Sequence, residues 1–153
     1  MSADLSRGIR LRAATASDDA AVRTLLASSS LATETSSLPP GAHYVAEARG
    51  VVVGVAILER FGGDGLLRAA CVDAAWRGQG VGTALIEHVL TEAALAALDT
   101  VMILTEGAPG FFARFGFREV SSGEVPDPVA RAVLRGHAPQ SAPIPMQLRL
   151  AEP

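Results

Sequence analysis

The chain has 153 residues, is 49% hydrophobic and 19% charged, and carries a net charge of -3. That length suits one domain with a single core, and the composition excludes an intrinsically disordered chain. The slightly acidic balance argues against general attraction to nucleic acid or to an anionic membrane. Thirteen Lys+Arg residues, all of them arginine, still leave room for a local anion site built from fork-like contacts. One cysteine, Cys71, leaves no intramolecular disulfide and no cysteine-rich metal site within this sequence. The opening MSADLSRGIRLRAA lacks the long apolar core of a signal peptide, and no apolar run reaches bilayer length. The expectation is a soluble cytoplasmic protein.

Residues Gly8–Ala13 alternate, with Ile9 and Leu11 on one face and Arg10 and Arg12 on the other, which predicts a first strand. Thr15, Ser17 and Asp18 are helix N-cap candidates. Ala20, Ala21, Val22, Leu25 and Leu26 then give an amphipathic helix ending near Ser28-Ser29-Ser30. Leu31–Gly41 reads as a loop, stopped from long helix by two prolines. His43–Arg49 and Val51–Arg60 form an antiparallel pair around Gly50. Gly62-Gly63-Asp64-Gly65 is a second turn, and Leu66–Asp73 a third consecutive strand.

After a short loop, Ala75–Gln79, the best helix of the sequence runs over Gly80–Leu98. Its stripe is Val81, Leu85, Val89 and Leu90, continued by Ala93, Ala94, Ala97 and Leu98. Thr100–Thr105 is nearly all apolar, which fits a buried central strand. A short helix over Pro109–Phe115, a strand over Gly116–Val120, a helix within Val125–Arg135 and a last strand over Ile144–Leu150 complete the chain. No linker or repeat marks a domain boundary, so residues 1–153 are expected to form one domain. The order β-α-β-β-β-α-β-α-β-α-β predicts an α+β fold with a mixed sheet covered by helices.

The most specific stretch is AWRGQGVGTAL, residues 75–85. It follows a strand and opens a long helix, whose first N–H groups lack internal partners and carry partial positive charge. Gly78, Gly80 and Gly82 allow close approach, and Arg77 adds a full charge at the rim, so the stretch reads as a cradle for phosphate or pyrophosphate. No lysine stands where a Walker loop needs one. The spacing GxGxG, in mid-chain after an antiparallel meander, departs from the GxGxxG of dinucleotide sites.

Arg77-Gly78-Gln79-Gly80-Val81-Gly82 matches the Arg/Gln-x-x-Gly-x-Gly/Ala signature of the GNAT acetyltransferase superfamily, which the order of elements also resembles over nearly the whole chain. The resemblance implies a GNAT-like mixed, mostly antiparallel sheet flanked by helices. It implies acetyl-CoA as cosubstrate, with pyrophosphate on the amides of Gln79–Thr83 (Gln79, Gly80, Val81, Gly82 and Thr83) and Arg77 and Gly78 at the entrance. The strand around Ala70, Cys71 and Val72 would run beside the pantetheine arm. A further string comprises Leu66-Leu67-Arg68, Leu104-Thr105, Phe111-Phe112-Ala113-Arg114-Phe115-Gly116-Phe117, Glu124-Val125-Pro126, and Pro139–Ala142 before Met146. It is similar to a GNAT branch associated with arsenic-resistance operons and to short N-acetylglutamate synthase-like proteins. Where that branch carries cysteine, this chain has Ala138.

The implied reaction moves an acetyl group from the thioester to the primary amine of a small, amino-acid-like acceptor, with no metal. A general base is needed to free the amine; Glu59 is the first candidate and Glu47 a weaker one, each also readable as a solvated carboxylate. A backbone N–H near Cys71–Val72 is the candidate oxyanion donor. Phe112 stands where many GNAT enzymes place a tyrosine that protonates the leaving thiolate. Arg68, in an apolar strand, meets a substrate carboxylate, pairs with Glu59 or Asp64, or faces outward. Cys71 is disfavoured as a nucleophile. His43 and His88 read as surface residues, and His137 falls in a tail. The partners expected are a small-molecule amine and, by family habit, a second copy in a homodimer, with neither nucleic acid nor membrane. A non-catalytic acyl-CoA-binding module and a nucleotide-binding protein are the competing readings.

Overall fold

A computed structural model of the chain describes residues 8–28, 41–105, 109–130 and 144–150. The elements are β1 (Ile9–Ala13), α1 (Asp19–Ser28), β2 (Ala42–Ala48), β3 (Val51–Phe61), β4 (Asp64–Val72), α2 (Val81–Leu95), β5 (Thr100–Thr105), α3 (Pro109–Ala113), β6 (Arg118–Glu119) and β7 (Ile144–Arg149). Residues 127–130 are also helical. Most of the Leu31–Gly41 loop, the rest of the Val125–Arg135 helix, His137, Ala138 and Pro139–Ala142 lie outside the described residues. The seven strands form one sheet in the order β1-β2-β3-β4-β5-β7-β6. β4 runs parallel to β5, whereas β1/β2, β2/β3, β5/β7 and β6/β7 are antiparallel. The sheet is therefore mixed, as the order of elements predicts, and mostly antiparallel, as the resemblance implies.

The chain divides into two compact units. The first comprises the described parts of Met1–Glu59 and Arg68–Thr91. Here Val22, Leu25 and Leu26 of α1 pack against Val45, Val55, Ile57, Ala69 and Cys71. Gly54, between Val53 and Val55, opens the opposite face to α2. A Cβ there would stand 2.8 Å from Leu85 Cδ1 and 3.3 Å from Val81 Cγ1, so this glycine is set by close helix approach. At the β2–β3 hairpin both turn residues, Arg49 (φ 53°) and Gly50 (φ 81°), have left-handed backbone, as a two-residue type I′ turn requires.

The second unit comprises the described parts of Arg60–Leu67 and Glu92–Pro153. Its core joins Leu66, Met102, Val120 and Val129, with Phe61, Leu104 and Val125 against them. β5 lies between β4 and β7, and all its residues but Leu104 are buried, as the apolar run TVMILT foretells.

Element ends differ from the sequence reading where particular hydrogen bonds extend or stop an element. β4 begins at Asp64, two residues before the expected Leu66, because Thr100 Oγ1 donates to Asp64 Oδ1 (2.7 Å) and Asp99 N to Gly63 O (2.7 Å). The long helix stops at Leu95, short of Leu98. Leu98 N donates to Ala93 O and Ala97 N to Ala94 O, with Ala97 at φ 62°, which is a Schellman end. The buried stripe of α2 includes Ile86 along with Val81, Leu85, Val89 and Ala93, whereas Leu90 is half-buried and Ala94 exposed. The expected strand Gly116–Val120 shrinks to Arg118–Glu119, since Phe117 N is still tied to Phe112 O in the turn after α3.

Candidate functional site

The glycine loop follows directly from the end of β4. Asp73 N donates to Val53 O (2.8 Å), and its own Oδ1 accepts from Ala75 N (2.9 Å), an Asx turn that sets a short 3₁₀ turn over Ala74–Trp76. That cap was not among the expected functional residues; an aspartate closing an apolar strand was its only signal. Gly78 (φ 76°) and Gly80 (φ 88°) take left-handed backbone, which side-chain-bearing residues avoid. A Cβ at either would meet nothing within 4 Å, so these glycines shape the backbone and leave the space above it open. Gly82 sits inside the first turn of α2.

Ala84 N donates to Gly80 O (3.0 Å), the first bond of the helical ladder. The amides of Val81, Gly82 and Thr83 therefore have no acceptor within the helix. No acidic residue stands in the first turn of α2 to compete for them, and the helix dipole makes that end positive. Gly78, Gln79 and Gly80 are exposed. Arg77 is exposed as well, and its Nε donates to Val72 O (3.0 Å), which folds the side chain back over the end of β4. Gln79 Nε2 donates to Ala75 O (3.2 Å) across the loop. One short stretch thus gathers unpaired amides, a positive helix end and a guanidinium, with open space before them.

The ladder of β4 with β5 runs from Asp64↔Thr100 to Leu67↔Ile103. Arg68–Val72 continue β4 past it. Cys71 is buried in the core of the first unit, against the α1 side, so what it can offer a ligand is its main chain. Ala70 is exposed and Val72 half-buried.

Glu59 and Arg68 come together. Arg68 Nη1 donates to Glu59 Oε1 at 3.1 Å, with side-chain exposures of 13% and 15%. Of the openings left for Arg68 in the sequence, the ion pair with Glu59 is the one formed in the free chain, while Asp64 accepts from Thr100. Glu47, the second base candidate, is bound instead by Arg12 Nε (2.8 Å). The same guanidinium holds Asp18 through Nη1 (2.8 Å) and Nη2 (3.1 Å). Asp18 also accepts from Thr15 N (2.7 Å), and these contacts, Arg12 first, hold its carboxyl well below the usual carboxylate range. Glu47 is thus part of a structural network, which the sequence did not reveal.

Phe112 is buried on α3, edge-on to Phe111 (5.0 Å between ring centroids) and to Phe117 (5.9 Å). It brings no hydroxyl. Two histidines depart from the surface reading. His43 Nε2 is buried without a hydrogen-bond partner, and His88 is half-buried, edge-on to Tyr44 at 5.4 Å. The antiparallel register sets His43, the second residue of β2, opposite Ile57 on β3. Among the described residues no three His, Cys, Asp or Glu side chains gather as a metal site, and no helix is long and apolar enough to cross a membrane.

The fold is shared with solved structures. The fold is similar to N-acetylglutamate synthase from Neisseria gonorrhoeae, solved with coenzyme A and N-acetyl-glutamate: TM-score 0.81, 18% identity, 94% of this chain covered. This chain spans 35% of that enzyme's length. It is also similar to Rv2747 from Mycobacterium tuberculosis, solved in complex with CoA, with TM-score 0.74, 25% identity, and 93% and 99% of the two chains covered. The ribosomal-protein-S18-alanine N-acetyltransferase from Escherichia coli shares the fold at TM-score 0.68 and 16% identity, with 95% of this chain and 96% of that one covered. The acetyltransferase (GNAT) domain family matches residues 39–119, more than half of the chain and all of the stretch from β2 through the glycine loop to β6. The chain belongs to the GNAT acetyltransferase family.

Proposed function

We propose that the protein is an acetyl-CoA-dependent N-acetyltransferase acting on the primary amine of a small, amino-acid-like acceptor. The observation that carries this reading is the glycine loop. It presents the free amides of Val81, Gly82 and Thr83, flanked by Gly78, Gln79, Gly80 and Arg77, at a positive helix end. The pyrophosphate of coenzyme A fits that site, and its pantetheine arm would lie along Cys71 and Val72. Main-chain N–H groups there are the candidate donors to the oxyanion formed as the amine adds to the thioester. Glu59 would take the proton that the ammonium must lose, and Arg68 would hold the acceptor carboxylate. The solved relatives bound to coenzyme A, one of them with N-acetyl-glutamate, support an amino-acid acceptor.

A second reading, a non-catalytic acyl-CoA-binding module, is favoured by one observation: Phe112, buried and without a hydroxyl, stands where many relatives place the thiolate-protonating tyrosine. In the enzyme reading, solvent supplies that proton. Two measurements separate the readings. Thermal shift with acetyl-CoA and CoA should raise the melting temperature, with NAD inert; no shift with either CoA species rejects both. Free thiol released from acetyl-CoA is then followed over a panel of amines, beginning with amino acids and including arsenic- and phosphorus-containing analogues. Release above background selects the enzyme, and binding without release selects the module.

A further inference from the structure

We propose that Glu59 is an internal competitor for the acceptor's carboxylate, so that acceptor binding and release of the base are one carboxylate-exchange step. This inference rests on the reading of Arg68 and Glu59 given above. The free chain holds the two as an ion pair, Nη1 to Oε1 at 3.1 Å, with both side chains largely buried. Nine residues separate them along the sequence, so the contact is made by the β3–β4 pairing and is built into the sheet. A guanidinium in such a setting needs a carboxylate partner, since a buried charge left alone is costly. Glu59 supplies that partner before any acceptor arrives.

An amino acid carries the same pair of charges in one molecule. Its carboxylate can replace that of Glu59 on Arg68, and its ammonium can then meet the displaced Glu59 carboxylate. The exchange turns one ion pair into two, Arg68 with the acceptor carboxylate and Glu59 with the acceptor ammonium, so neither charge is stranded. While Oε1 is held by Arg68, that oxygen is not available to an acceptor proton. Once displaced, the Glu59 carboxylate takes one proton from R–NH3⁺, giving R–NH2. The amine nitrogen then bonds to the acetyl carbon, the C–S bond breaks, and coenzyme A leaves as thiolate. The second nitrogen proton is lost to solvent, which protonates the thiolate, and Glu59 returns its proton to solvent before closing again on Arg68. An amine without a carboxylate cannot make the exchange. Glu59 thereby sets specificity as well as accepting the proton.

The test uses the full chain with matched acceptors, L-glutamate and L-methionine against their α-carboxamides, in the wild type and in Glu59→Gln, Glu59→Ala and Arg68→Ala. Thiol release gives kcat and KM, and calorimetric titration in the presence of CoA gives Kd where turnover is lost. Removing the competitor should lower KM or Kd for the acids by about tenfold in Glu59→Gln, leave the amides within about twofold, and lower kcat for both. Glu59→Gln keeps the shape of the side chain should Glu59→Ala fold poorly. If Glu59→Gln instead weakens the acids as Arg68→Ala does, Glu59 only orients Arg68 and the exchange is overturned. Failure of the underlying reading is distinct: Arg68→Ala would then leave the acid-over-amide preference untouched. If neither acid binds the wild type or Glu59→Gln, both ideas fall.

Discussion

Two arginines on strands of the same unit meet carboxylates in different ways. Arg12, on β1, closes a network: Nε to Glu47, and Nη1 and Nη2 to Asp18, with distances of 2.8, 2.8 and 3.1 Å. Asp18 in turn accepts from Thr15 at the entrance to α1. Strand, helix start and neighbouring strand are thereby fastened at one point. Arg68, on β4, has the less exposed side chain of the two, 13% against 26%, yet its contact with Glu59 joins one nitrogen to one oxygen at 3.1 Å. Bidentate geometry with local caps is how a protein fixes structure; an ion pair between largely buried charges can be exchanged for a ligand. In the function proposed above, Arg12 serves stability and Arg68 recognition.

The largest effect expected from breaking this contrast is on catalysis. Arg68→Ala should lower kcat/KM for a carboxylated acceptor about a hundredfold or more, with KM for acetyl-CoA changed less than about twofold. Steady-state thiol release with each substrate varied checks this, and equal losses for both substrates would refute the substrate role of Arg68. Next in size, Asp18→Ala should cost about 2–3 kcal/mol of stability, because it removes charge-assisted bonds from a buried carboxylate and leaves Arg12 short of a partner. Urea unfolding at pH 7 measures that loss, while acceptor KM should stay unchanged.

The same carboxylate predicts a pH dependence. Its folded-state pKa is depressed by Arg12 and the Thr15 amide, so its contribution is complete above the unfolded value of about 4 and is lost as pH falls below it. Stability measured from pH 6 to pH 2 should therefore fall less steeply in Asp18→Asn than in the wild type. The smallest effects lie away from both arginines. Ala97, at φ 62° in the Schellman end of α2, should gain about 0.5–1 kcal/mol on change to glycine. Arg49→Asn, at φ 53° in the β2–β3 turn, should gain a few tenths on the order of 0.3 kcal/mol. Thermal melts of these two variants, with unchanged kinetics, separate local backbone strain from either ion pair.

Much of the fold was legible because period and punctuation are local properties. Alternation in IRLRA, the run TVMILT and the glycines around 50 and 62–63 place strands and turns within a few residues. The glycine loop was legible for the same reason: its amides, its positive φ angles and its helix start come from consecutive residues. Two readings differ from the structure: the strand at Gly116–Val120 is cut to Arg118–Glu119 by the turn after α3, and His43, read as a surface residue, has its Nε2 buried.

By itself the sequence determined the class of the fold, the order of its elements and the glycine loop at the start of α2, since each depends on near neighbours. Only the tertiary structure decided which charges meet. Alternation places Arg10 and Arg12 on one face of β1, and the register sets Arg10 opposite Glu47, yet it is Arg12 that reaches diagonally to Glu47 and turns to Asp18. Strand pairing likewise chose Glu59 for Arg68 and left Asp64 to Thr100. A charge in a sheet is committed by the partners that strand pairing brings within its reach, opposite or diagonal, and these are fixed by pairing over long stretches of chain.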